Sequence, residues 1–267
     1  MVRRSQRVSF PGGLGFELAG IVDVPNDAPQ ATVVFTHCFT CNKDLKAIVR
    51  ISRGLAEAGY LVLRYDLTGL GGSQGDFSRT HFSSNRDDLL AACAFMSQHY
   101  APAEFLIGHS FGGACALSLA EQIDSVRGAV ALAAPSDTGH LADLLQRMDR
   151  NIASQGMGKV TIGGKEHTIR DSMLADLRSF NLPACLRQLT KPTMLFHSPV
   201  DETLGFEHAL RLFALLTQRS GADPEPSPTS LICLPGADHL LVRNMADIDF
   251  VTATIAAWFR RLLHDRS

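Results

Sequence analysis

Short apolar runs alternate with helix-length amphipathic segments along most of the chain. The strand-like runs occupy 16–24, 31–36, 60–65, 105–108, 128–133, 193–197 and 230–234. Helical spacing of apolar residues occurs at 44–58, 85–98, 111–122, 207–217 and 248–263. Strands that are apolar on both faces are typical of parallel sheets, which connecting helices cover on both sides. The alternation therefore predicts an α/β fold with a mostly parallel central sheet and helices on both faces.

One segment interrupts this alternation, between the runs at 128–133 and 193–197. It contains helix-like pieces and two short stretches, 160–162 and 166–169, which Gly163–Gly164 would join as a β-hairpin. Long insertions of this kind are usually functional. We expect a single α/β domain over 1–267 with a cap insertion at about 136–191, and structural padding is the alternative. A short surface loop is expected at 221–228.

The composition excludes several classes of partner. Hydrophobic residues make up 45% of the chain and charged residues 19%, which is enough apolar material for a sizeable core. The formal net charge is -2, and no basic cluster of the kind that nucleic acids or anionic membranes attract is present in the sequence. We therefore expect a small-molecule partner and neither nucleic acid nor a membrane, while homo-oligomerisation stays open.

The N-terminal sequence and the cysteines indicate a cytoplasmic protein. Arg3–Arg4 could begin an export signal, but no apolar segment of signal-peptide length follows, and no stretch is long and apolar enough to cross a bilayer. The six cysteines are scattered through segments that resemble core. In a chain of this length we expect reduced, buried thiols rather than a disulfide framework.

The stretch LIGHSFGG places Ser110 between Gly108 and Gly112, after an apolar run and before an alanine-rich one. A serine hydroxyl is a weak nucleophile, so it needs a base, a group that orients the base, and donors for the oxyanion. The pattern Gly-x-Ser-x-Gly between a strand and a helix is typical of a nucleophile turn. A glycine-rich turn without chemistry is the alternative.

The base and its orienting acid are expected late in the chain. His239 follows the last strand-like run in LPGADHLL, and Asp201 follows the preceding run in HSPVDETL. The order Ser110, Asp201, His239 is the order expected of a nucleophile turn of this type. Asp137 and Asp238 are the rival acids, although Asp238 adjoins His239 and should point away from it.

Two backbone N–H groups are the expected oxyanion donors. One belongs to Phe111, the residue after the candidate nucleophile, and the other to Phe39, in the turn after the run at 31–36. Phe77, Phe82 and Phe111 could supply apolar walls for an acyl chain, although phenylalanine also fills cores.

Together these residues resemble an α/β-hydrolase-fold serine hydrolase over nearly the whole chain. The segments that carry the resemblance are THCF (36–39), RYDLTGLGGSQG (64–75), GHSFGG (108–113), SPVDE (198–202) and GADH (236–239). The resemblance implies a Ser–His–Asp triad, no metal or other cofactor, and an ester or related acyl substrate. More narrowly, HCFTCNKD resembles the hydrolase half of bacterial α/β hydrolase–OsmC fusion proteins. This implies a functional link to an OsmC-like protein, although we expect no such domain within this chain, which ends at Ser267.

Cys38 and Cys41 form a CxxC motif that admits other interpretations. The pair could be a redox dithiol, or half of a zinc site, although no second pair at ligand spacing accompanies it. We expect thiols that are structural or that line the site.

The sequence thus predicts a serine hydrolase that cleaves a carboxylic ester. The alternatives are a thioesterase or acyl-peptide hydrolase with the same triad, or a non-catalytic or thiol-redox protein.

Overall fold

The computed structural model describes residues 4–218 and 227–264. Its strands are β1 (Arg4–Pro11), β2 (Glu17–Val24), β3 (Thr32–Thr36), β4 (Leu61–Tyr65), β5 (Phe105–His109), β6 (Gly128–Leu132), β7 (Met157–Ile162), β8 (Lys165–Arg170), β9 (Thr193–His197) and β10 (Thr229–Cys233). Its helices are α1 (Lys46–Glu57), α2 (Phe82–His99), α3 (Phe111–Leu119), α4 (Gly139–Met148), α5 (Asn151–Gln155), α6 (Asp171–Ser179), α7 (Leu182–Gln188), α8 (Glu207–Thr217) and α9 (Met245–His264). Most of the predicted loop 221–228 lies outside the described residues.

Eight strands form one central sheet in the order β1-β2-β4-β3-β5-β6-β9-β10. The pairs β1–β2 and β2–β4 are antiparallel, and every other pair is parallel. The carboxyl ends of β3, β5, β6, β9 and β10 therefore meet at one edge, where parallel sheets place their ligand sites. This arrangement confirms the predicted α/β fold with a mostly parallel sheet.

The strand side chains alternate between two cores. On one face, Val33 and Phe35 pack with residues of α1 and α9, and the Phe105 ring stacks on Phe259 with centroids 3.8 Å apart. On the other face, Val34 packs with residues of α2 and α3. Burial of both faces explains why strands β3 to β6 and β9 read as unbroken apolar runs in the sequence.

The segment between β6 and β9 folds into α4, α5, a separate β7–β8 hairpin, α6 and α7. The hairpin lies where the glycine pair predicted it, with Ile162 opposite Lys165 across the turn. Side-chain bonds join this segment to the start of α2, since the Ser83 hydroxyl donates to Asp176 at 2.7 Å. The inserted segment therefore packs against the first turn of α2. Within the described residues, no helix combines the length and the apolar character that crossing a bilayer requires.

Candidate active site

Ser110 occupies a sharp turn between β5 and α3. Its backbone lies at φ 52° and ψ -119°, a conformation that residues other than glycine rarely adopt. The Ser110 N–H donates to the Leu132 carbonyl on β6 at 2.7 Å, and the Gly113 N–H donates to the Ser110 carbonyl at 2.8 Å. These bonds hold the strained turn, so the hydroxyl is presented at the carboxyl edge of the sheet.

Two glycines make this turn sterically possible. A Cβ on Gly108 would overlap the carbonyl of Gly112, because strand and helix approach too closely for a side chain. A Cβ on Gly112 would overlap the carbonyl oxygens of Thr36 and His37 at the end of β3. The second contact also shows that the Ser110 turn and the turn after β3 lie side by side.

His239 bridges the serine and the acid. It lies in the loop between β10 and α9, with its ring buried. Its Nε2 is 3.0 Å from the Ser110 Oγ, and its Nδ1–H donates to the Asp201 Oδ2 at 2.7 Å. The structure thus brings together three predicted residues that stand far apart in the chain, and it leaves Nε2 in the state that can accept a proton from the serine.

Asp201 is held in place from both sides. Its second oxygen accepts the backbone N–H groups of Thr203 and Leu204, each at 2.8 Å. Burial raises the pKa of this carboxyl. The hydrogen bond and charge of His239, together with these N–H donors, lower the pKa by more than burial raises it, so the pKa lies below its usual value. The carboxylate therefore stays ionised beside the imidazole.

The rival acids lie elsewhere. Asp137 accepts the N–H of His140 and pairs with Arg211 at 3.2 Å. Asp238 accepts the N–H of Val242 at 3.1 Å, which turns its carboxylate away from the neighbouring imidazole. Neither carboxylate has His239 as a hydrogen-bond partner among the described residues.

His109 is a buried neighbour of the site that the sequence did not single out. Its Nε2–H donates to the backbone carbonyl of His239 at 2.8 Å, and the two rings are 5.2 Å apart. Burial, with the adjacent His239, lowers the pKa of His109 to about 3, so the ring is neutral. It ties the His239 loop to the end of β5. The middle position of a Gly-x-Ser turn accepts many residues, so the sequence held no signal for this contact.

The two predicted oxyanion donors lie on adjacent turns. The Phe39 and Phe111 rings meet edge to face with centroids 5.4 Å apart. Within 4–218 and 227–264, neither backbone N–H has a protein acceptor. Neither N–H is therefore engaged elsewhere in this part of the chain, and their role as oxyanion donors stays a prediction.

Comparison with known proteins places this geometry in a family. Residues 27–173, more than half of the chain, match the family model described as Hydrolase_4: Serine aminopeptidase, S33. The chain belongs to this family. An esterase domain from Rhodothermus marinus is 37% identical to this S33-family hydrolase, with 97% of this chain and 98% of that one covered and a TM-score of 0.75.

Two further comparisons show weaker similarity. Est1E from Butyrivibrio proteoclasticus, solved with ferulic acid bound, shares the fold at a TM-score of 0.80 and 18% identity, covering 96% of this chain and 99% of that one. The uncharacterized protein RP471 of Rickettsia prowazekii (strain Madrid E) is 31% identical over 122 residues, or 45% of this chain. The S33-family hydrolase spans only 50% of that curated relative.

The cysteines of this S33-family hydrolase correct one prediction. Cys38 and Cys41 are joined by a disulfide with their Cα atoms 5.3 Å apart, whereas reduced thiols were expected. A CxxC spacing suits thiols, metal ligands and a disulfide alike, so spacing alone does not decide between them. Of the four free cysteines, Cys93 and Cys115 are buried as expected, but Cys233 is exposed at the end of an edge strand.

A buried histidine supports the turn that carries this disulfide. The His37 Nδ1–H donates to the Cys38 carbonyl at 2.7 Å, while its Nε2 accepts the Leu67 N–H at 3.1 Å. These partners define the neutral tautomer, and burial correspondingly lowers the pKa of His37. His37 therefore links the turn after β3 to the turn after β4.

Buried ion pairs also hold the chain that follows the turn between Cys38 and Cys41. Asp66 is fully buried and accepts both the backbone N–H of Lys43 and its Nζ, the latter at 2.8 Å. Arg64, also buried, donates to Asp23 at 2.9 Å and to Asp44 at 2.9 Å. These contacts fasten the chain just after Cys41 to β2 and β4.

An aromatic cluster lies beside the candidate donors. Phe39 contacts Phe77 at 5.4 Å, and Phe111 contacts Phe82 at 5.2 Å. His167 on the β7–β8 hairpin meets Phe77 at 5.4 Å. The three phenylalanines predicted as pocket walls therefore form one apolar group with Phe39, and the inserted segment reaches it.

Proposed function

We propose that this S33-family hydrolase cleaves a carboxylic ester through an acyl-enzyme on Ser110. The observation that carries the proposal is the continuous set of contacts from Ser110 Oγ through His239 to Asp201, at 3.0 and 2.7 Å. The esterase domain from Rhodothermus marinus, 37% identical over nearly the full length, supports ester rather than other acyl chemistry.

The residues divide the reaction between them. Ser110 attacks the acyl carbonyl while the His239 Nε2 takes its proton, and the imidazolium then protonates the leaving alkoxide. Asp201 holds the imidazole in the productive tautomer and stabilises its charged form. Water activated by His239 hydrolyses the acyl-enzyme and frees Ser110.

The negative charge of the tetrahedral intermediate falls to the N–H groups of Phe39 and Phe111. Preorganised donors of this kind act in the transition state, and removing one typically costs ~10²–10³ in turnover. Neutral His109 contributes by pinning the His239 loop without placing a second cation beside the imidazolium.

The segment 136–191 acts in this proposal as a cap that selects the acyl group. Its hairpin contacts the aromatic cluster through His167, so acyl chains would pack between cap and cluster. Phenylalanine walls favour short or medium apolar acyl groups. Replacing Phe77 with alanine is expected to shift the preferred chain length upward.

The family description as a serine aminopeptidase favours a second candidate, an amide or acyl-peptide substrate. A thioester would use the same residues as well. Comparing matched p-nitrophenyl ester, thioester and p-nitroanilide substrates of one acyl group separates the three, since the best kcat/KM identifies the bond that the site is built to cleave.

The direct test is hydrolysis of p-nitrophenyl esters from acetate to decanoate by wild type and Ser110→Ala. Removal of a triad member lowers kcat by roughly 10⁴–10⁶. Ser9→Ala, on exposed edge strand β1, is the matched control and should leave kcat unchanged. Retained activity in Ser110→Ala, or no hydrolysis by wild type of any ester, thioester or anilide, would contradict the proposal.

Several narrower expectations stay predictions. They are a single domain over 1–267, a cytoplasmic location, self-association, and a functional link to an OsmC-like protein.

A further inference from the structure

We propose that the Cys38–Cys41 disulfide is a thiol–disulfide exchange site whose oxidised form keeps the oxyanion turn of this hydrolase in its active shape. The inference rests on the proposed function, because Phe39, the candidate oxyanion donor, lies inside the four-residue ring that the disulfide closes. The partner it would take is a low-molecular-weight thiol or dithiol.

The turn has a conformation that needs an external restraint. The Cys41 N–H donates to the Cys38 carbonyl at 3.2 Å, which makes Phe39 and Thr40 the central residues of a β-turn. Thr40 has φ 60°, a value that glycine or asparagine normally supplies and that a β-branched residue adopts with strain. The disulfide spans this residue and opposes its relaxation.

Global stabilisation is a poor account of the same bond. The stabilisation that a disulfide provides grows with the length of the loop it closes, and these cysteines are only three residues apart. The other four cysteines are free, so the bond is not part of a disulfide framework. Its position ties it to the Ser110 turn instead, because Cys38 directly follows His37, whose carbonyl oxygen lies against Gly112.

The exposure of the two cysteine residues sets the course of the exchange. Cys38 is 3% exposed, whereas Cys41 is partly exposed. The thiolate of the incoming thiol attacks the Cys41 sulfur, forms a mixed disulfide there and expels the Cys38 thiolate, which takes up a proton. A second thiolate then attacks the incoming sulfur, releases the external disulfide and leaves Cys41 as a thiol. Two electrons pass from the external thiols to the protein.

Reduction would release Thr40 and let the Phe39 peptide rotate away from the oxyanion position. Because this donor acts mainly in the transition state, kcat should fall at least about tenfold while KM changes little. Reoxidation should restore kcat. A loss of general packing on reduction would instead lower the melting temperature together with kcat.

The test compares one preparation in two states. Oxidised glutathione prepares the oxidised form, dithiothreitol prepares the reduced form, and both are desalted before assay so that no free thiol cleaves the ester. Native exchange at this pair is expected to raise the number of titratable thiols in the denatured chain from four to six. Steady-state p-nitrophenyl ester kinetics and melting temperature are measured on each form.

Two double variants assign the effect. Cys38→Ala with Cys41→Ala should show the low kcat of the reduced enzyme and no response to dithiothreitol. Cys185→Ala with Cys233→Ala removes free thiols outside the turn and should respond as wild type does. If the first variant does not fold, the reversible comparison on wild type still decides.

The outcomes separate this inference from the proposed function. Ser110-dependent hydrolysis with equal kcat in both states, or an unchanged thiol count after native dithiothreitol treatment, overturns the exchange site and leaves the esterase proposal standing. Absence of Ser110-dependent hydrolysis in both states overturns the proposed function and this inference with it.

Discussion

Replacing Asp201 with asparagine should inactivate the site without unfolding it. One oxygen of Asp201 accepts the N–H groups of Thr203 and Leu204, and the other accepts the His239 Nδ1–H. In Asp201→Asn the amide oxygen keeps the two backbone donors, so its NH₂ group faces His239. The imidazole must then accept on Nδ1 and carry its proton on Nε2, toward Ser110, where it cannot act as a base.

The expected loss follows from this tautomer change. Serine enzymes in which the orienting aspartate becomes asparagine lose about 10⁴ in kcat, so we expect a loss of roughly 10³–10⁴ here. That corresponds to about 4–5.5 kcal/mol of transition-state stabilisation. KM should change little, because the substrate does not contact Asp201 in this proposal.

The assay is steady-state hydrolysis of p-nitrophenyl butyrate, with melting temperature as the check on folding. Asp137→Asn is the matched control, since this acid also follows a strand of the sheet but pairs with Arg211. Its kcat should stay near wild type. A folded Asp201→Asn enzyme with more than about a tenth of wild-type kcat, or a collapse of kcat in Asp137→Asn, would refute the tautomer argument.

Three further predictions concern stability and are checked by urea unfolding. Burial beside the catalytic loop lowers the pKa of His109 from 6.5 to about 3, so its contribution is complete above pH 6.5 and is lost as pH falls toward 3. Below about pH 6.5 the unfolding free energy of wild type should fall with decreasing pH more steeply than that of His109→Gln, by about 1.4 kcal/mol per pH unit. Equal slopes of unfolding free energy against pH in the two proteins would contradict this prediction. Gly112→Ala should lower the unfolding free energy by more than about 2 kcal/mol, because the new Cβ overlaps two backbone carbonyls. Gly139→Ala is the control, since its Cβ meets nothing closer than 3.8 Å. Similar losses in both variants would contradict this steric explanation. Arg64→Met leaves the buried Asp23 carboxylate without its partner and should lower the unfolding free energy by about 3–5 kcal/mol, whereas Arg79→Met, at an exposed pair, should lower it by less than about 0.5 kcal/mol. Similar small losses in both variants would show that the buried pair does not stabilise the fold.

The sheet was predictable because its physics is local. A strand buried on both faces needs an unbroken apolar run, and the predicted runs at 31–36 and 193–197 agree within one residue with β3 and β9. The Gly-x-Ser-x-Gly spacing was equally direct, because close packing of strand and helix excludes any larger residue at Gly108 and Gly112. Chain order then favoured His239 and Asp201 among many histidines and acids, and the structure places both in one line of contacts with Ser110.

What the sequence did not disclose depends on contacts between distant or ambiguous residues. Helix α2 begins at Phe82 rather than at residue 85. The Ser84 hydroxyl accepts the His81 N–H, so the polar residues before 85 belong to the first turn of the helix. The His109 bond to the His239 carbonyl spans 130 positions and involves a backbone group, which leaves no mark in residue types. The Cys38–Cys41 bond was hidden because the same spacing serves thiols and disulfides alike.

In the proposed mechanism Ser110 carries the acyl group during turnover. Rapid acid quenching of wild type with a p-nitrophenyl ester, followed by peptide mass spectrometry, measures this directly. One acyl adduct is expected, on the peptide that contains Ser110, and it should be absent from Ser110→Ala. An adduct on another residue that persists in Ser110→Ala would contradict it.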